Sequence, residues 1–395
     1  MSDTPTKSSW GAVLAMSLAA FALVASEFMP VSLLTPLAAD LHITEGQAGQ
    51  GISVSGVFAL LTSLVIASIA TRVDRKHLLM ALTLLMIISG TVVAFAPNYL
   101  VFMLGRALIG VAIGGFWSLS AATAMRLVPQ AQIPRALAIV NGGNALATVI
   151  AAPLGSFLGG IIGWRGAFFC VVPVAVVALV WLLASLPALK NQGEAKTANA
   201  LRLMKNPKVA LGMFAVSVFF MGQFMLFTYL RPFLESVTRV EVSTLSLMLL
   251  VLGLAGLAGT FLIERFLKHN LYPTLIAIPL IMAGLALALV EWGHSTIITT
   301  LLLGSWGLVA TAAPVGWWTW LAQTLPDDAE AGGGLMVAII QLAIAAGATV
   351  GGVAFDLSGY QATFELSAGL LVVATLLACL TSRRAVQARV ISGAT

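Results

Sequence analysis

Residues 11–37 read GAVLAMSLAAFALVASEFMPVSLLTPL, a stretch with one charge, Glu27, and two prolines, Pro30 and Pro36. About 20 predominantly apolar residues cross a bilayer as a helix, so this stretch is long enough to span. It does not read as a cleavable leader: it is too long, and no small-residue cleavage site precedes a polar sequence. The same character continues along the chain. Of 395 residues, 59% are hydrophobic and 9% charged, against about 25% charged in an ordinary soluble domain. That composition excludes a soluble globular protein. The apolar residues supply about a dozen spans and little else, which excludes a catalytic domain outside the membrane.

Apolar runs separated by charged, Pro, Gly or Asn clusters predict an all-α, polytopic protein. Its twelve transmembrane helices fall at 11–37, 46–70, 78–96, 99–126, 136–162, 167–187, 208–232, 242–264, 271–292, 296–323, 334–356 and 362–382. With both termini cytoplasmic, 16 of the 20 basic residues fall in inner segments; Arg165, Arg231 and Arg239 fall outside, and Arg106 lies within the fourth span. This is the positive-inside bias. One missed or invented helix would scramble it. The polar stretch Lys190 to Lys208 divides the spans six and six. The expected organisation is a six-helix bundle over 1–187, a cytoplasmic linker over 188–207 and a second bundle over 208–395. Weak repetition at about 195 residues pairs Asn144 and Gly155 with Gln341 and Gly352, and Cys170 in the sixth span has a counterpart in the twelfth. Two pseudo-symmetric halves with a mid-membrane site are an expected transporter architecture.

Glu27 is the one acid of fifteen that falls deep in a span, about ten residues from its outer end, or about 15 Å at 1.5 Å per residue. A carboxylate there costs a few kcal/mol unless it faces a cavity or a partner. One reading is a protonatable carrier tuned by apolar surroundings; the other is a structural acid neutralised by a neighbouring helix. Arg106 lies at comparable depth in the fourth span. A guanidinium cannot give up its charge, so it either communicates with Glu27 or snorkels to the interface. The mid-span amides Asn141, Asn144, Gln223 and Gln341 need partners, which are either a polar uncharged ligand or other helices. Trp117, Tyr229 and Trp317 are candidates to stack on a planar solute, whereas Trp320 suits an interfacial belt. Gly110, Gly114, Pro153 and Gly155 fit close helix approach or sliding.

No lysine follows a glycine, so there is no phosphate-binding loop of the Walker type. His42, His77, His269 and His294 lie singly near span ends and form no metal-spaced pair. Cys170 and Cys379 sit in apolar runs and read as packing residues. The net charge of +5 follows from the membrane-side bias and does not indicate a nucleic-acid partner. The expected partners are a small molecule, protons and the lipid bilayer. No metal and no cofactor other than the proton gradient is expected, and a monomer is.

At these residues the chain resembles the major facilitator superfamily, in particular its twelve-helix drug:proton antiporters. Residues 67–76 (ASIATRVDRK) resemble the family's motif between helices 2 and 3, with Asp74 in place of the usual glycine and Thr71 in place of the usual acid. Arg106 with Gly110 and Gly114 resembles the helix 4 motif. The run 151–156 (AAPLGS), followed by 163–165 (GWR), resembles the helix 5 antiporter motif. Residues 27–36, 114–117, 125–129 and 314–317 are most similar to bacterial exporters of sugars and nucleosides, those for purine ribonucleosides above all. The resemblance implies a proton-coupled antiporter of the bacterial inner membrane exporting inosine- or guanosine-like compounds, with sugars such as arabinose or lipophilic drugs as the alternative. It further implies proton coupling by Glu27 and Arg106, and gating by Arg72, Asp74, Arg75, Gly110, Gly114, Pro153 and Gly155.

Overall fold

The computed structural model describes residues 9–189, 200–325 and 328–392. Lys7, most of the expected linker (190–199, with Lys190 and Lys196), Pro326 and Asp327 lie outside the described residues. Within them the protein is helical, with no strand. Helices α1 (Trp10–Leu41), α2 (Glu45–Ala70), α3 (Arg75–Ala94) and α4 (Tyr99–Leu127) are separate. The run Ile133–Phe169 breaks at Gly163, giving α5 (133–162) and α6 (164–169, continued by Val171–Ser185). After Pro207–Thr228 (α7), the run Val242–Trp292 breaks at Asn270 into α8 (242–269) and α9 (271–292). Thr296–Ala310 and Ala313–Thr324 together form α10, and Ala329–Ser392 breaks at Gly359 into α11 (329–358) and α12 (360–392). Gly163 (φ 75°, ψ 164°) and Gly359 (φ 77°, ψ −172°) occupy a backbone region essentially closed to residues with a Cβ. Among the described residues, ten apolar helical segments are long enough to cross a membrane. Two of them, of 56 and 54 residues, contain these glycine breaks. Each is long enough for two crossings at 1.5 Å per residue, consistent with twelve.

The chain folds as two compact units, one of residues 1–43 and 54–197 and the other of 44–53 and 198–395. In each unit one helix is central. For α1, 72% of the spanning window is buried, and for α7 67%, against 39% for α3; a helix apolar all round belongs in a core. The outward faces carry large apolar side chains such as Leu100, Phe261 and Ile297, as lipid contact requires. Cys170 is exposed among them. That corrects the expectation that it is a packing residue: it sits at the joint between the two helical stretches of α6.

The expected repeat recurs in the backbone. Among the described residues, His42 (φ 55°) and Arg239 (φ 56°) are the positive-φ non-glycine residues, 197 positions apart, and each ends a helical stretch in the left-handed conformation. Gly110 abuts the Ser55 carbonyl across the α4–α2 crossing, and Gly307 abuts the Leu252 carbonyl across the α10–α8 crossing. Both partners are displaced by the same 197. Gly114 against Ala59 recurs as Thr311 against Gly256, with the glycine on the opposite helix.

The second unit includes the first turns of α2. Thr44 and Gln47 form a reciprocal capping box, Thr44 N donating to Gln47 Oε1 and Gln47 N to Thr44 Oγ1, both at 3.0 Å. Asp356 of α11 adds a carboxylate to the same helix end. It accepts from Thr44 Oγ1 at 2.6 Å and from Gly46 N at 3.0 Å, where a negative charge also meets the positive end of the helix dipole. Further along, the Thr349 hydroxyl lies within hydrogen-bond distance of Gln50 Oε1 (3.1 Å) and Ser53 Oγ (2.8 Å). Gly46 and Gly49 permit the approach, since a Cβ at either would strike Asp356 or the Tyr229 hydroxyl.

Two stability outcomes follow. Asp356→Ala strips two hydrogen bonds from the α2 N-terminus and is expected to cost about 1–3 kcal/mol. That corresponds to a fall in Tm of about 2–4 °C per kcal/mol, with Asp356→Asn intermediate; an unchanged melting curve of purified protein in detergent would contradict the cap. Gly114→Ala places a Cβ against the α2 backbone and should destabilise by about 1–3 kcal/mol. Gly142→Ala, with nothing within 4 Å of the new Cβ, should be neutral or stabilising by up to about 1 kcal/mol.

Candidate functional site

Arg106 is 1% exposed and Glu27 8%, and both lie within the first unit. Arg106 does not snorkel to an interface. Its Nη1 donates to the Ser26 carbonyl at 2.8 Å, and its Nη2 donates to the Glu27 carbonyl at 3.3 Å and to Ser55 Oγ of α2 at 3.1 Å. The guanidinium thereby joins α4 to the middle of α1 and to α2. The Glu27 carboxylate acts on it electrostatically, so the two residues expected to communicate are brought together. Chemically this is a buried acid beside a permanent cation whose donors reach backbone and hydroxyl oxygens. Such a site can alternate between ionised and neutral acid without stranding the cation.

The helix 4 glycines lie against α2 directly beyond Arg106, one and two helical turns on, at Ser55 and Ala59. Pro153 and Gly155 of α5 are buried, and Gly155 faces Met29 and Ser32 of α1. Asn144 and Trp117 are half-buried, Trp117 meeting Phe116 edge-on at 5.8 Å. Asn141 is exposed, and its Nδ2 donates to Leu137 O in its own helix at 3.0 Å. Asp74 caps α3, its Oδ1 accepting from Lys76 N at 2.8 Å and from Leu189 N, just past α6, at 3.0 Å. Arg72 beside it is exposed and Arg75 half-buried.

In the second unit Tyr229 is fully buried. Its hydroxyl donates to Ala348 O at 2.7 Å, and its ring stacks on Phe355 at 5.2 Å, so the side chain ties α7 to α11. Trp317 and Trp320 are both buried and meet edge-on at 5.8 Å. The belt position expected of Trp320 is therefore corrected: its ring packs over Gly212 of α7, and Trp318 is the outward-facing one. Gln341 is buried on α11. Gln223 Oε1 is buried with no hydrogen-bond partner among the described residues.

Sequence reading missed two features. Arg231, counted with the outer charges at the end of the seventh span, is 4% exposed and bonds Glu235 Oε1 at 2.8 Å. Both sit where the chain beyond α7 continues as Leu230–Phe233 and a π-turn, Leu234–Thr238. The signal was the i, i+4 spacing of opposite charges. In the first unit, Arg165 pairs with Asp40, donates to Ala96 O at 2.8 Å and lies 4.3 Å over the Trp164 ring. It thus fastens the α5–α6 turn to the end of α1 and to the α3–α4 connection.

A model of the Major Facilitator Superfamily matches residues 16–348. The chain is 60% identical over 386 residues, 96% of each chain, to a protein named transcription regulatory protein OpdE from Pseudomonas aeruginosa. It is 41% identical over 374 residues, 95% of this chain and 94% of the relative, to the purine ribonucleoside efflux pump NepI of Salmonella paratyphi B. Among solved structures, the nucleoside transporter NupG superposes with a TM-score of 0.79 at 14% identity, covering 94% of this chain and 98% of that one. A D-xylose-proton symporter gives 0.74 at 16% identity, covering 94% and 96%. These likenesses share the fold found here, two units of membrane-spanning helices, and the chain belongs to the major facilitator superfamily of multi-pass small-molecule transporters.

Proposed function

We propose that this protein is a proton-coupled exporter of neutral, planar, hydrogen-bonding solutes, purine ribonucleosides first among them, in the bacterial cytoplasmic membrane with both termini inside. The observation that carries the reading is the buried Glu27 beside Arg106. Glu27 takes up a proton in one conformation and releases it in another, and protonation drives transport because it favours the two unequally. The purine assignment draws on the efflux pump at 41% identity and on Gln223 Oε1, an acceptor that an N–H or hydroxyl of a nucleoside fills. Sugars and lipophilic drugs are the competing cargo.

The relative named as a transcription regulatory protein favours one extension. The described residues consist almost wholly of membrane-length helices and short connections, so an effect on transcription is accounted for by export of an inducing solute.

Counterflow of radiolabelled inosine in proteoliposomes under an imposed pH gradient tests the core of this. Wild type should accumulate label against the gradient, whereas Glu27→Gln should keep exchange within about twofold but lose the response to pH. If inosine is ignored while a sugar or drug is moved, the cargo is wrong and the coupling stands. With one proton per neutral solute the cycle is electrogenic. A potential of 100 mV is worth about 2.3 kcal/mol per charge, or an accumulation of about fiftyfold, and an electroneutral cycle would rule out a single-carboxylate carrier. In cells lacking the chain, Glu27→Gln should fail to restore any transcriptional response that wild type restores; restoration by the variant would sink the exported-inducer account.

A further inference from the structure

In an α-helix the amide of residue i donates to the carbonyl of residue i−4, and proline at i removes that donor. α1 contains Pro30 and Pro36, so the carbonyls of Ser26 and Ser32 receive no amide donor from the residue four positions on. The Ser26 carbonyl is the one that accepts Arg106 Nη1, at 2.8 Å. Nη2 of the same group reaches the next carbonyl, that of Glu27, and Ser55 Oγ. The guanidinium is thus seated in the gap that Pro30 opens in the helix ladder, on the residue preceding the buried acid.

We infer that Pro30 is a positioning residue of the proton site: by freeing the Ser26 carbonyl it fixes Arg106 to the α1 backbone through an acceptor whose charge never changes. The inference rests on the reading of Glu27 as the proton carrier. Its consequence is that Arg106 keeps a strong partner when Glu27 is neutral, so uptake of the proton does not leave a buried cation without an acceptor. Were the amide of residue 30 restored, it would reclaim the Ser26 carbonyl, and Arg106 would depend more heavily on the carboxylate. Arg106 is the charged group that the neighbouring helices bring to this depth. The others on α1 and the elements packed against it (Asp40; Arg75, Lys76 and His77; Arg126; Arg135 and Arg165) lie at helix ends.

The test is the pH profile of inosine efflux from proteoliposomes for wild type, Pro30→Ala and Pro36→Ala, with Glu27→Gln alongside. Pro30→Ala should move the half-maximal pH of gradient-driven efflux toward acid by about one unit, the scale of one charge-assisted hydrogen bond. Pro36→Ala, which restores the donor to Ser32 instead, should leave the profile in place. A Pro30→Ala profile superposable on wild type overturns the inference. So does an equal shift in both proline variants, which would mark a general stiffening of α1. If Pro30→Ala does not fold, Pro30→Gly restores the same amide without a side chain and is read by the same criteria. Loss of gradient response in Glu27→Gln with an unshifted Pro30→Ala removes the positioning role alone; retained response in Glu27→Gln removes the proton-carrier reading and this inference with it.

Discussion

A permanently charged guanidinium, 1% exposed at mid-helix, is the constraint around which the first unit is arranged. Arginine keeps its proton, so its donors must all find oxygens inside a low-dielectric interior. Helical backbone offers few, because its carbonyls are already occupied. Pro30 supplies one by removing an amide from α1, and Ser55 supplies a hydroxyl from α2. The small residues follow from this geometry: for Arg106 to reach both helices, α4 must lie close to α2, and Gly110 and Gly114 are the positions at which their backbones meet. One buried charge thus accounts for a proline in α1, a serine in α2 and glycines in α4.

The second unit shows what the frame looks like without the charge. The displacement of 197 residues that carries Gly110 and Ser55 onto Gly307 and Leu252 also carries Arg106 onto Leu303, a fully buried apolar side chain. The α8–α10 crossing keeps the close backbone approach while the arginine and its serine acceptor are both replaced by leucine. Removing both members of a buried polar pair leaves nothing unsatisfied, which is why the frame tolerates the exchange. Close packing and the buried charge pair are separable layers: the α8–α10 crossing keeps the first without the second.

Much of this was legible in the sequence, for identifiable reasons. The spans follow from composition, and Glu27 and Arg106 from the cost of charge in hydrocarbon. The helix 4 glycines follow from a spacing that places them on one face. Other readings failed because they depend on which way a helix is turned, and a helix apolar on every side does not announce its facing. Trp320 and Trp318 sit two positions apart with opposite exposure, and Cys170 is exposed although its neighbours are hydrophobic. Arg231 was counted with the outer charges because a basic residue at a span end gives no local sign of burial, whereas the chain beyond Tyr229 continues as Leu230–Phe233 and a π-turn. The membership of residues 44–53 in the second unit was invisible for a further reason: Asp356 lies more than 300 positions from Thr44, and nothing local distinguishes a carboxylate that caps a distant helix from one facing water.

The two parts of α2 are held by attachments of different kinds. Its first turns are held by Asp356, Thr349 and the Ala345 carbonyl, all through hydrogen bonds, whereas its later turns are held against α4 by close backbone packing across glycines. The two attachments differ in kind. Hydrogen bonds between polar groups exchange for water at little net cost once water reaches them. A glycine crossing has no such substitute, because nothing of equal density replaces the dispersion attraction between the two backbones once they part. The first turns of α2 are thus held by contacts that water can replace, and the later turns, with Ser55 bonded to Arg106, by contacts that it cannot.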